Sequence, residues 1–168
     1  AKTPLIVAGH GIRLSGMKNT FLDILKNLNI PVVTTFNGFD LLNEDTPQYI
    51  GRIGTIGQRA GNFALQNADL VLFLGTRNNI RQISYNWENF ARNAYKIVVD
   101  IDKAELEKPL VKPDMAIHAD LADFLPLLKE ALNSIDKPEW LTFCRDLKER
   151  YSFGNTKEYS QTGDKINV

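Results

Sequence analysis

Directly after a short apolar run, Leu70 to Leu74, the chain reads Gly75, Thr76, Arg77, Asn78, Asn79 and Arg81. That places hydroxyl, amide and guanidinium groups at the carboxyl end of a strand, which is where open parallel α/β sheets keep their ligands. A glycine-rich stretch precedes it, with Gly51, Gly54 and Gly57 at three-residue spacing. Side-chain-free backbone of this kind is needed where a chain turns tightly or approaches a ligand closely. The chemistry on offer is binding through donors and bare backbone.

The elements that must position these groups alternate. Pro4 to Ala8 is a buried strand that opens into Gly9, His10 and Gly11, and Ser15 to Asn29 follows as an amphipathic helix with Phe21, Leu22, Leu25 and Leu28 inward. Pro31 to Thr35 is a second, β-branched strand that breaks into a loop through Gly38 and on to Pro47. The glycine loop then leads to a helix from Gln58 to Asn67, with Ala60, Gly61, Phe63, Ala64 and Ala68 on one face, and to the Leu70–Leu74 strand. Lys96 to Ile101 and Met115 to His118 are two more strands, and Asp120 opens a helix through Asn133. This rhythm gives an α/β class with a parallel sheet covered on both faces.

Composition narrows the function. At 168 residues the chain is long enough for a single core, and 20 basic against 20 acidic residues leave no general field to attract nucleic acid or a membrane surface. The lone cysteine, Cys144, excludes an internal disulfide and a cysteine-built metal site and suits a reducing cytoplasm. Ala1 in place of Met, and a strand that starts almost at once, give the look of a piece of a longer chain. Pro138 to Tyr151 reads as one more amphipathic helix carrying Trp140, Leu141, Cys144 and Leu147, and Ser152 onward as a linker.

Taken in order, AGHGIRLSG, IPVVTTFNGFD, GRIGTIGQRAGNFALQNADLVLFLGTRNN, VVDIDKAELEK and HADLADFLPLL resemble the central domain of thiamine diphosphate-dependent enzymes of the acetolactate synthase (acetohydroxyacid synthase) type. The likeness runs from Pro4 to Leu132. It implies a three-layer α/β/α, Rossmann-like, doubly wound sheet of about six parallel strands, the NAD- and FAD-binding fold also found in deoxyhypusine synthase. Residues 1–135 would be this central domain, and 136–168 a helix and linker toward a diphosphate-binding domain. In the family, thiamine diphosphate lies between an amino-terminal domain, whose glutamate activates it, and a carboxyl-terminal domain, whose Gly-Asp-Gly and a later asparagine hold Mg²⁺. Here Gly163 and Asp164 run into Lys165. The resemblance therefore implies that this part binds neither thiamine diphosphate nor Mg²⁺, carries no catalytic residue or metal ligand and is inactive alone. Its partners would be the amino- and carboxyl-terminal domains, in a cytoplasmic homodimer or homotetramer.

The similar domain of acetohydroxyacid synthases and pyruvate oxidases binds FAD, some relatives bind ADP, and others bind nothing. Carried over position by position, the flavin-binding version picks out Gly9, His10 and Gly11, Thr35 and Gly38, Gly54 and Thr55, then Gly75, Arg77, Asn79 and Arg81, and last Asp100, Ile101, Asp120 and Leu121. Arginine suits phosphate or a ring carbonyl, and a carboxylate accepts from a ribose hydroxyl or adenine amine. Flavin-dependent acetohydroxyacid synthases have an acidic pair where this chain has Asn78, Asn79 and Ile80. Structural roles compete for several positions: the glycines serve turns and close packing, Asp100, Asp102 and Asp120 suit helix N-caps, and His118, Trp87, Trp140 and Cys144 suit structure. A second reading is a stand-alone NAD or ADP module like the NAD-binding domains of sirtuins or deoxyhypusine synthase. A single cysteine excludes the four-cysteine zinc site usual in sirtuins.

Overall fold

The computed structural model describes residues 1–132 and 135–152. In chain order the elements are β1 (Pro4–Ala8), α1 (Gly11–Leu14), α2 (Lys18–Lys26), β2 (Leu28–Asn29), β3 (Val32–Thr34) and β4 (Tyr49–Arg52). They continue through α3 (Arg59–Asn67), β5 (Leu70–Leu74), α4 (Ile80–Ile83), β6 (Tyr95–Asp100), α5 (Lys103–Leu106), β7 (Met115–His118), α6 (Leu121–Ala131), β8 (Ile135–Asp136) and α7 (Pro138–Arg150). Short 3-10 turns lie at Phe36–Gly38 and Trp87–Asn89.

Six strands form one sheet in the order β4-β3-β1-β5-β6-β7, every pairing parallel. Counting only these strands, the order is that of the doubly wound dinucleotide fold, reversing direction between β1 and β5. The expected three-layer architecture is thus observed. Its cause is visible along β1, where Leu5 and Val7 join one apolar cluster and Ile6 and Ala8 the other. Successive side chains of a strand point to opposite faces, so a strand buried on both sides must be apolar throughout. One cluster is completed by Ala60, Ala64 and Leu65 of α3 and Trp140, Leu141 and Cys144 of α7; the other by Phe21 and Leu25 of α2 and Leu121 and Leu125 of α6. Each fully buried Leu, Val or Phe contributes about 1.5–3 kcal/mol.

Helix α7 is tied to the sheet. The Trp140 indole Nε1 donates to the Pro4 carbonyl at 2.9 Å in a buried setting, and Lys148 Nζ donates to the carbonyls of Glu44 (2.7 Å) and Tyr49 (3.0 Å), closing the β4 edge. Burial pushes the Cys144 thiol up to about 12, so it stays protonated and apolar in the core.

Four local expectations differ from the structure. The helix expected over Ser15–Asn29 is shortened to α2 (Lys18–Lys26), because Gly16 at φ +73° breaks the chain after α1, and Leu28–Asn29 leaves the helix to pair with Ile135–Asp136 as a small parallel sheet. Tyr49–Arg52, which takes in Gly51 of the expected glycine loop and is not expected as a strand, is the edge strand β4, recruited because Tyr49 and Ile50 are buried against the sheet. Phe63 points away from the sheet and meets the Tyr151 ring at 5.3 Å, while Leu65 takes the inward place. Helix α6 ends at Ala131. Asn133, and the linker expected beyond Ser152, lie outside the described residues.

Candidate functional site

The reversal between β1 and β5 makes their loops diverge, and the space between them is the site. At its floor the two loops touch backbone to backbone. A Cβ on Gly9 would sit 2.1 Å from the Gly75 carbonyl oxygen, and one on Gly11 2.8 Å from Gly75 Cα. The Gly11 N–H donates to that same carbonyl at 3.1 Å. Only glycine permits this approach, and Gly75 also adopts φ +58°. Above this junction opens a cleft of about 650 Å³ along the carboxyl ends of the strands, within the range of about 300–1,000 Å³ typical of small-molecule and cofactor sites.

Most of the expected residues converge on this cleft: His10 and Gly11 from the β1 loop, Thr35 after β3, Gly75, Arg77, Asn79 and Arg81 after β5, Asp100 and Ile101 at the end of β6, and Asp120 and Leu121 entering α6. Gly9, Gly38, Gly54 and Thr55 are not in its lining and stand behind it. Gly38 packs on the Ala8 carbonyl, Gly54 is held by the Asn62 amide at 2.9 and 3.0 Å, and the Thr55 hydroxyl donates to the Arg81 carbonyl at 2.8 Å. These four shape the loops that carry the others.

Several lining groups are engaged in local structure. The Asn79 side chain accepts from Arg81 N at 3.0 Å and starts α4; Asp102 accepts from Ala104 N at 2.9 Å and starts α5; Asp120 accepts from Ala122 N at 2.8 Å and starts α6. Asp100 is only 6% exposed and accepts from the Asp102 N–H at 3.0 Å. His10 is fixed by a 3.0 Å contact between Nδ1 and the Asn37 carbonyl, and His118 Nε2 lies 3.0 Å from the Ile101 carbonyl. Arg77 lies on the rim with φ +55°, its guanidinium paired with Glu105, whose hydrogen bond and charge raise the arginine pKa above its ordinary value. The Arg81 guanidinium makes no hydrogen bond or ion pair among the described residues, and Arg81 lines the same cleft.

Sequence reasoning missed an apolar wall. Leu14, Phe36, Ile53 and Ile56 line the cleft, three of them largely exposed. Each is an isolated apolar residue beside turn residues, so no period marks it. Gln82 was also missed; its amide donates to Asn78 Oδ1 at 2.9 Å, as the Thr76 hydroxyl does, which ties together the turn that carries Arg77.

Comparison with known proteins shows the family of the chain. The family described as "Thiamine pyrophosphate enzyme, central domain" matches residues 1–128. The chain belongs to that family. As a thiamine pyrophosphate enzyme central domain it is similar to acetolactate synthase large subunits. It is 31% identical over 99% of its length to that of isozyme 2 from Escherichia coli, 37% over 91% to that from Lactococcus lactis, and 37% over 81% to a probable one from Methanococcus aeolicus. These matches take up 29%, 26% and 22% of the relatives, so this central domain spans under a third of each. The likeness to the acetolactate synthase type, read from the ordered motifs, is thereby shown.

Proposed function

We propose that this central domain serves an acetolactate synthase-like enzyme acting on 2-oxo acids by holding FAD or ADP in the cleft between the β1 and β5 loops and by bracing the domains that hold thiamine diphosphate. The observation that carries this reading is the cleft itself, where bare backbone, an unpaired arginine and buried acid meet at the topological switch point of the sheet. The backbone of Gly11 and Gly75 admits a diphosphate closely, Arg77 and Arg81 offer donors to it, and Asp100 and Asp120 accept from ribose or adenine. The apolar wall of Phe36 and Ile56 suits a ring system.

Thiamine diphosphate and Mg²⁺ do not fit here. The chain has no Gly-Asp-Gly, and among the described residues no three His, Cys, Asp or Glu side chains converge as metal ligands. We assign the 2-oxo acid chemistry to other domains of a parent enzyme, which we place in the cytoplasm as a homodimer or homotetramer, and take this part alone to be inactive. No helix among the described residues is long and apolar enough to cross a membrane.

Thermal unfolding of the chain with FAD, ADP, NAD or CoA tests the nucleotide reading. A ligand at a hundred times its Kd adds about 2.7 kcal/mol, or roughly 5–11 °C for a domain of this size. FAD or ADP is expected to give such a shift, and Arg81→Ala to abolish it while leaving the ligand-free melting point in place. Absence of a shift with every nucleotide would leave bracing as the sole role.

A further inference from the structure

Arg77 is not a loose rim arginine. It sits in a turn where both it and Asn78 have left-handed backbone, at φ +55° and +35°, a conformation that costs L-residues on the order of 1 kcal/mol each and persists only when the surroundings over-determine it. Two residues from the next crossover do so. Glu105, on α5 and only 9% exposed in its side chain, accepts from Arg77 Nε at 3.3 Å and Nη2 at 3.0 Å through Oε1. Lys108 pairs with the other oxygen, Oε2, and its Nζ also donates to the Arg77 carbonyl at 3.0 Å. Side chain and main chain of Arg77 are thus gripped from one side, by a carboxylate and an ammonium that are themselves paired.

Neither Glu105 nor Lys108 is part of the cleft lining, whereas Arg77 is. Glu105 uses the Nε and Nη2 edge of the guanidinium. Nη1 makes no hydrogen bond among the described residues and the group as a whole stays 69% exposed. We infer that Glu105 and Lys108 are positioning residues: they hold Arg77 edge-on so that its remaining donors face an anionic ligand in the cleft, the diphosphate of an adenine nucleotide under the reading above. Lys108 supplies the cation that lets a carboxylate sit beside an anion site, since the three charges together sum to a single positive one.

Charge and positioning make opposite forecasts for the same substitution, which is what makes the inference testable. Removing the Glu105 carboxylate makes the rim more positive, so if charge alone mattered Glu105→Met would tighten binding of ADP or FAD. If Glu105 acts by orienting Arg77, the same change, which removes the acceptor as well as the charge, weakens binding by about tenfold, the scale of one hydrogen bond to a charged group. The measurement is the ADP affinity of the chain for wild type, Glu105→Met, Lys108→Met, Arg77→Ala and the Arg77→Ala/Glu105→Met pair. Weaker binding in both Glu105→Met and Lys108→Met, and no further loss from Glu105→Met once Arg77 is gone, is the expected result. Tighter binding in Glu105→Met, or an undiminished loss in the Arg77→Ala background, would overturn it.

A second readout does not depend on any nucleotide. The Arg77 Nε–H, bonded to Glu105, is expected to give a sharp NMR signal slow to exchange with water, and to lose that protection in Glu105→Met. An Arg77 signal indifferent to Glu105 would overturn the inference even if ADP binds, whereas a protected signal in a chain that binds no nucleotide would overturn only the nucleotide reading.

Discussion

The contact between the β1 and β5 loops can be probed by a single methyl group, Gly9→Ala. Gly9 has no left-handed backbone, so alanine adds no conformational strain there and the whole effect is steric. The new Cβ would lie 2.1 Å from the Gly75 oxygen, 2.5 Å from Gly75 C and 2.7 Å from Thr76 Cα, all backbone atoms that no rotamer change can move. Relief requires the loops to part by roughly an ångström, where overpacking costs about 1–3 kcal/mol. The same movement strains the bonds that end the ladder, Gly9 N–H to the Leu74 carbonyl (2.9 Å) and Gly75 N–H to the Val99 carbonyl (3.0 Å), each worth about 0.5–1.5 kcal/mol net. Together these give about 2–6 kcal/mol, or roughly 4–24 °C in melting point. Gly16→Ala is the internal control, since nothing lies within 4 Å of its Cβ and only its φ of +73° resists substitution, at about 1–2 kcal/mol. Circular dichroism melting of the two variants side by side decides the matter. A Gly9→Ala chain that melts no lower than Gly16→Ala would refute the claim that these loops are in hard contact, and with it the floor of the proposed cleft.

Two further outcomes follow from side chains that bridge local structure and the site. Asp120→Ala removes the α6 N-cap and is expected to cost about 1 kcal/mol in urea unfolding, while Asp120→Asn keeps the cap and stability but, under the nucleotide reading, lowers ADP affinity. At the amino terminus, burial tends to raise the Asp69 pKa, but the N–H groups of Lys2 (2.6 Å) and Thr3 (2.9 Å) outweigh it and hold the carboxyl below its usual 3.8. A carboxyl depressed in the folded state contributes stability above its unfolded pKa and loses it as pH falls through the folded one. The urea midpoint should therefore drop as pH is lowered past about 4, and drop less in Asp69→Asn.

What could be read in the sequence divides by how local its cause is. The strands β1, β5 and β7 were legible with near-final bounds, because a short apolar run ended by glycine or a polar group has few other uses. Strand β4 was not, since Gly51 weakens its pattern and what recruits it is distant: pairing with β3 and the grip of Lys148 from α7. The β2–β8 pair is invisible for the same reason, being two residues paired with two across more than a hundred positions of chain. In the site, strand ends located the polar residues, because a doubly wound sheet puts those ends on one rim. The apolar wall and the Glu105–Lys108 grip carry no local signature, as their roles exist only once separate crossovers fold back on the same loop.

The competition between capping and ligand binding, which the sequence left open at Asp120 and its neighbours, turns out to be no competition in atomic terms. A carboxylate has about four lone-pair directions and an N-cap uses one of them, so Asp102 and Asp120 each start a helix and keep accepting capacity toward the cleft. Asn79 behaves differently. Asparagine caps as well as aspartate, and with one of the two Oδ1 lone pairs used by the Arg81 N–H it adds what aspartate lacks, the two N–H donors of its amide. Where the family's flavin-dependent synthases carry acid, this cleft therefore presents a donor beside the unpaired Arg81 guanidinium. The cleft lining thus combines donors from Arg77, Asn79 and Arg81 with the acceptors Asp100 and Asp120, a combination matched by a ligand with an anionic middle and a hydroxyl- or amine-bearing end.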